Sequence, residues 1–455
     1  MSILSQIAYS GLRASQVGLS TTGQNIANVN TPGFSRLNPV QVSLGGQGGL
    51  GVGGGVEVTS IRRLSNDFQN RQLWRATTEQ SYYNSSQGYL SALEGLMSGE
   101  GSSISVGLDQ FFAAVSEASS TPGSIALRQQ VLSEARNLAQ RFNGLSGNID
   151  AQLSALQEQR QAMVGEMNGL SRNIAELNRQ IVEAQSTGAD TSALRDHRES
   201  LVKDLSQYAG VRVNETPDGA LTVAFDSGQP LVAGSSPAQL SVTKNADGEQ
   251  VMQLAFAGTS FPLDLDGIGG SLGGIQDVEF GELRPKMEAL HDMAGQLAQM
   301  LNDTLASGYD LSGAAGQPLF TYNATSNSQL LSLNDLTPEQ LAFSDTAGES
   351  GNNKVLLQLL DVRSQTITVN GSQVTLNDAY AGLLGQVASA SRQNQADLKS
   401  ATTVVEQAQA QRDSISAVSL DEEAVNLMTY QQAYQANMKV ISTANQLFDA
   451  MLAAF

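Results

Sequence analysis

Chemistry in this chain would have to run through very few groups. It holds two histidines, His197 and His291, and no cysteine among 455 residues. Without cysteine there are no disulfides, thiolate metal sites, iron–sulfur clusters or cysteine nucleophiles. Each histidine lies in a polar helical stretch, where an imidazole is usually a solvated or partly buried helix residue rather than an acid, base or ligand. No HExxH, G-x-S-x-G or P-loop is present, and two histidines leave little room for a triad or a zinc centre. Asp264-Leu-Asp266-Gly267 hints at calcium, but it lacks the further loop ligands and closing glutamate of an EF-hand and reads as a polar turn. Gly46 to Gly51 satisfies G-x-G-x-x-G formally. No helix opens after it and "VEVTSI" reads as a strand, so a loop or hairpin is expected instead of a phosphate cradle. The sequence therefore predicts no enzyme, no cofactor and no metal.

Charge narrows the partners. Acidic residues outnumber basic ones 44 to 25, a formal net charge of −19, and no basic stripe exists. Phosphate-backbone binding and docking on an anionic membrane both need clustered Lys and Arg. No stretch approaches the apolar length of a membrane span. The start, "MSILSQIAYSGLRASQVGL", has neither a basic n-region nor a compact apolar core, so a cleavable signal peptide is not expected and any export would use another route.

What remains to explain is a set of periodic apolar stripes. At the N-terminus, Leu12, Ser15, Leu19, Thr22, Ile26 and Val29 recur at spacings of three and four, with Ile3, Ile7, Ala14 and Val17 as a neighbouring stripe. Pro32 pushes Thr31 out of the helical region, and Thr31-Pro32-Gly33-Phe34 suits a type II turn, ending the helix near Val29 or Asn30. At the C-terminus, Leu427, Tyr434, Ile441, Phe448 and Phe455 recur every seven residues. Gln431, Met438, Asn445 and Leu452 form an alternate seam. Ser419 to Glu422 reads as a capping box, and Asp421, Glu422 and Glu423 suit the positive end of the helix dipole.

Between the ends, helix is expected from "LSNDFQNRQL" onward. Residues 124–185 carry a coiled-coil heptad pattern: Phe142, Ile149, Leu156, Met163, Leu170 and Leu177, with Leu153, Met167, Ile174 and Ile181 as the second seam. Gly188 closes it as a C-cap, and a further helix over about 191–208 ends at Gly210. From Val211 the period changes to two, with turns at Pro217-Asp218-Gly219 and Asp247-Gly248, predicting β-hairpins over 211–268. "GIGGSLGG" (267–274) reads as a flexible return. Helices follow over about 277–307 and 377–412, separated by a weakly patterned stretch with one hairpin at "TITVNGSQVTL".

A lone amphipathic helix is marginal in water. The simplest cover for each terminal stripe is the other terminus, with Ile7, Leu12, Leu19 and Ile26 packing against Leu427, Tyr434, Ile441 and Phe448. The pair would still leave apolar surface for adjacent subunits, since the stripes are broad and include Tyr434, Phe448 and Phe455; Met438 and Leu452 are further packing residues, between helices or between subunits. From pattern alone, packing inside an ordinary globular core serves equally well.

The two ends also carry a resemblance. "GLRASQVGLSTTGQNIANVNTPGFSR" resembles the N-terminal signature of the axial proteins of the bacterial flagellum. "SLDEEAVNLMTYQQAYQANMKVISTANQLFDAML" is similar to the C-terminus of the hook-associated proteins that join hook to filament. "GVEVTSIRRLSNDFQNRQL", "LRDHRESLVKDLSQYAGVRV" and "YAGLLGQVASA" agree with that family. The alternative within the class is a hook or distal-rod axial protein. The resemblance implies a mainly α fold with a small inserted β-domain. Residues 1–60 and 413–455 would form an inner domain of paired terminal helices, 61–210 and 269–412 a helical domain, and 211–268 an outer β-domain. It further implies a homo-oligomeric ring at the hook tip, contacts with hook protein and a second junction protein, and a cytosolic export chaperone on the C-terminal helix. Export without a cleaved signal to the extracellular flagellum follows from the same likeness.

Overall fold

The structure is a computed structural model that describes residues 3–45, 53–245 and 249–453. Helix α1 (Ile3–Ala27) is followed by a hairpin, β1 (Leu37–Leu44) and β2 (Gly55–Arg63), and then by α2 (Asp67–Ser98), α3 (Ile104–Ser120), α4 (Ile125–Ser186) and α5 (Ser192–Ser206). Seven strands follow in two antiparallel sheets. The first holds β3 (Val211–Glu215), β4 (Leu221–Phe225), β5 (Pro230–Ala233) and β6 (Ser236–Pro237); the second holds β7 (Gln239–Lys244), β8 (Gln250–Phe256) and β9 (Thr259–Leu263). The chain returns through α6 (Gly270–Asp277), a π-helical turn (Val278–Leu283) and α7 (Arg284–Ala306). Two small hairpins flank the short α8 (Lys354–Asp361), and α9 (Leu376–Ser416) and α10 (Leu420–Ala453) close it. The molecule is thus mainly helical with small antiparallel sheets, and its two ends are helices that pack on each other.

The strongest periodic segment is a single 62-residue helix, α4. Its stripe is buried at Phe142, Ile149, Leu156, Met167, Ile174 and Ile181. It is not one strand of a coiled coil, however. The stripe meets α3, then α7 and α5, and also β5, β6, β7 and a hairpin strand at Leu331–Leu333. One long apolar seam serves several partners in turn, because a heptad repeat specifies a face and not what covers it. The sheets have no separate interior: Val223, Phe225, Leu240 and Leu254 belong to the same core as α4 and α5.

Polar residues on helices dock the strands. Asn143, Asn168 and Asn178 on α4 each bond both backbone groups of one residue, Leu331, Leu240 and Leu221 respectively, at 2.7–2.9 Å. Such a bidentate amide satisfies edge groups that would otherwise be buried unpaired.

The segment 267–274 is not a flexible return. Residues 270–277 form α6, with Gly270, Gly273 and Gly274 buried. A Cβ on Gly274 would stand 2.3 Å from both Tyr82 O and Ser85 Oγ, and one on Gly270 2.4 Å from Tyr208 C. The glycines are there for close approach to α2 and to the end of α5, not for freedom. The stretch 309–375 is also better ordered than its composition suggests: besides the expected hairpin at Thr366–Thr375 it holds a second hairpin and α8. Gly46–Gly51 and the Asp247-Gly248 turn lie outside the described residues; the strands that flank each pair as hairpins.

Candidate assembly interface

Among the described residues the two histidines lie on separate helices, α5 and α7, and in different settings. His197 is exposed. His291 is half-buried and held between Asn327 Oδ1 (3.1 Å) and the Tyr322 hydroxyl (3.4 Å), while the Asn327 amide donates to Asp150 on α4 (2.7 Å). It ties a loop to the helical core. Asp264 and Asp266 make a local turn, with the Asp266 amide donating to Asp264 Oδ1 at 3.0 Å. Among the described residues no cluster of His, Asp or Glu could hold a metal ion, and no helix is long and apolar enough to cross a membrane.

The terminal pair has the geometry of an interface. A Cβ on Gly11 would stand 2.7 Å from Asn437 Oδ1, and one on Gly18 2.6 Å from the Tyr430 ring. Advancing seven residues along α1 thus moves seven back along α10, so the helices run antiparallel. The contact lies on small and polar residues. On α1 these are Ala8, Ser15, Gly18, Thr22 and Asn25, all buried; on α10 they are Glu423 and Ala444, with Asn426, Ala433 and Asn437 half-buried. Gly11 and Gly18 let the Asn437 and Tyr430 side chains fill the seam where a branched pair would hold the axes apart.

This differs from the expected seam. Ile7, Leu12, Leu19 and Ile26 are half-buried at the flanks of α1, as are Tyr434 and Ile441 on α10. Leu427, Met438, Phe448 and Leu452 are exposed, by 38%, 48%, 52% and 62%. Phe448 meets none of the α1 residues expected to cover it, because the antiparallel register carries it past the start of α1. Phe455 lies outside the described residues. The exposed four lie outside the close contact, which is made by the small residues and by Tyr430 against Gly18. Among the described residues, α10 carries ten of the 25 exposed large apolar side chains, and Ile3, Leu4 and Tyr9 on α1 add three more.

A polar node joins the pair to the body. Beyond α1, the Phe34 amide donates to Thr31 O and Gly33 has φ +80°, as a type II turn requires. Asn25 clamps the far side of the turn by bonding both backbone groups of Leu37 at 2.9 Å. Arg36 bonds Glu422 and also Glu423 (2.7 Å), whose side chain is 1% exposed. The capping box is therefore half made: Ser419 Oγ accepts from the Glu422 amide at 3.5 Å, while the Glu422 carboxylate turns to Arg36. On the body side, Asp196 on α5 accepts from the Ser35 amide (3.0 Å) and from Arg63 (2.8 Å), and Arg63 also pairs with Glu199. Burial alone would lower the Arg63 pKa, but Glu199 and Asp196 hold it above the ordinary arginine value. Nearby, burial pushes Arg198 down to about 10 while Asn178 and Gly219 O accept its protons. Sequence reading missed this node, since its members are scattered over residues 25–63, 196–199 and 422–423.

Comparison with known proteins agrees with this arrangement. The family model described as the flagellar hook-associated protein FlgK helical domain matches residues 90–320, just over half the chain. The chain belongs to that family. Two further models match its ends: flagella basal body rod protein over 6–34, and the C-terminal part of flagellar basal body rod FlgEFG protein over 409–454. The terminal pair is thus the part shared with rod proteins, and the helical interior sets this family apart from them. Flagellar hook-associated protein 1 of Escherichia coli K12 is 27% identical, covering 99% of this chain and all of its own length. That of Bacillus subtilis 168 is 25% identical over 98% and 97%. The flagellar hook junction protein FlgK of Burkholderia pseudomallei, a solved structure, shares the fold, with TM-score 0.68 and 17% identity over 77% of this chain and all of that one.

Proposed function

We infer that this chain, a hook-associated structural protein of the flagellum, forms a ring on the distal end of the hook and connects it to the filament, without catalysing a reaction. The observation that carries the reading is the surface of α10. Exposed side chains such as Val425, Met428, Leu447 and Met451 are 55–58% open to solvent on one terminal helix. Burying the exposed half of each is worth about 1 kcal/mol, so adjacent copies gain by sealing them together. The terminal pair with residues 1–60 and 413–455 is the inner layer in this reading. Residues 61–210 with 269–412 form the helical layer, and 211–268 the outer part. Hook protein and a second junction protein lie on either side of the ring.

The same surface needs cover before assembly. A cytosolic chaperone on α10 supplies it, and the chain travels to the extracellular flagellum without cleavage. Removing residues 427–455 should abolish both chaperone capture and appearance of the chain on isolated hooks. A truncated chain that still decorated hook tips at the full-length level would overturn the assembly reading. The alternative, a hook or distal-rod protein, is disfavoured by the family match over 90–320.

A further inference from the structure

Continuing the antiparallel register leaves the last turns of α10 beyond the start of α1. Gly11 faces Asn437 and Gly18 faces Tyr430, so residues past about Ala444 have no α1 residue opposite. This overhang holds Leu447, Phe448, Met451 and Leu452, each more than half exposed. On the other side of the pair, α1 and the β1–β2 hairpin enclose a groove of about 320 Å³, lined by Tyr9, Arg13 and Val17 on α1 and by Leu44, Val56 and Val58 on the hairpin. Tyr9 and Leu44 stand 55% and 39% exposed there. Its floor is fixed, because Ser10 Oγ accepts from the Val56 amide at 3.1 Å.

Charge marks both parts. Arg13 is the sole charged residue of α1, and Asp449 the sole charged residue of α10 after Lys439. Neither takes part in an ion pair among the described residues. Within one chain they cannot meet. Arg13 lies opposite about residue 435, and fourteen residues of helix separate that point from Asp449, about 21 Å.

We propose that the α10 overhang of one copy seats in the groove between α1 and the β1–β2 hairpin of the next copy, with Asp449 paired to Arg13. This rests on the reading that copies assemble through their terminal helices, and adds which segment enters which surface. The apolar side chains of the tail meet Tyr9, Val17, Leu44 and Val58, while Gln6, Arg13 and Glu57 make the rest of the lining polar. The single carboxylate is drawn to Arg13 and repelled by Glu57, which also lines the groove, and this selects one seating among those a purely apolar tail would sample. Adjacent copies are then displaced by about 21 Å along the helix pair.

The chain has no cysteine, so introduced ones report only on themselves. Tyr9→Cys/Leu452→Cys in the full-length chain, replacing the native copy in its own bacterium, should give a disulfide-linked ladder of the chain in isolated hooks under oxidation. Neither single variant should. An intrachain bond is excluded, since a disulfide needs Cα atoms within about 7 Å. As a second readout, Arg13→Asp and Asp449→Arg should each lower the amount of chain on hooks by about tenfold, and their combination should restore it. Hooks carrying the normal amount of the cysteine variant with no ladder, or a cross-link to a different protein alone, would overturn the seating while leaving ring assembly intact. Failure of the combined reversal to restore assembly would overturn the ion pair. Absence of the unsubstituted chain from hooks would overturn this proposal and the assembly reading together.

Discussion

Glycine and asparagine do the fine positioning in this molecule. Gly274 lets α6 lie against the Tyr82 carbonyl, and Gly18 admits the Tyr430 ring between the terminal helices. Among the described residues five helix asparagines, Asn25 and Asn302 included, each take both backbone groups of one residue across a junction. These roles set an order of sensitivity. Gly274→Ala drives a methyl into backbone and should cost about 1–3 kcal/mol. Gly165→Ala sits in open space on the exposed face of α4 and should instead stabilise by about 0.5–1 kcal/mol. Thermal unfolding of the two variants checks the contrast, and equal effects would contradict the close-approach role. None of this was legible in the sequence. "GIGGSLGG" has the composition of a linker, and only the surface opposite each glycine says whether the missing side chain supplies freedom or room.

At the scale of elements, most of the helices were legible and most of their partners were not. The stripe over 124–185, the change of period at Val211 and the seams after Leu283 and Leu420 all mark real elements, because burial on one face imposes a period whatever lies opposite. Partner choice depends instead on groups far apart in sequence. The seam of α1 against α10 uses alanine, serine, threonine and glycine. A reading that follows large apolar residues therefore selects the outward flanks, Leu427 and Met438 among them. The Arg36–Glu423 pair belongs to this scale, since it joins the connecting segment to the first turn of α10. Glu423 is buried and Arg36 one-fifth exposed, so losing the cation strands a carboxylate at about 2–3 kcal/mol. In hydrogen exchange, Arg36→Ala should speed the amides of 420–430 more than Arg36→Ala/Glu423→Ala does, because the double variant leaves no buried charge. The reverse order would argue that the pair contributes nothing to docking α10.

For the whole molecule, the sequence delivered the architecture and the family through its two ends, while the interior sets the chain apart from rod proteins. The isolated chain keeps a complete body core and an incomplete inner pair. In the proposed assembly, stability and association therefore reside in different parts, and the −19 net charge opposes non-specific association of the copies. The claim on which this account depends is that the outward flank of α10 is sealed only by adjacent copies. A cryo-electron microscopy map of the hook–filament junction built with this chain tests it most directly. In that map α1 and α10 should run antiparallel with Gly18 against Tyr430, and density of neighbouring copies should cover Leu427, Met438 and Phe448. A ring in which that flank faces solvent, or in which the two terminal helices have separated, would contradict it.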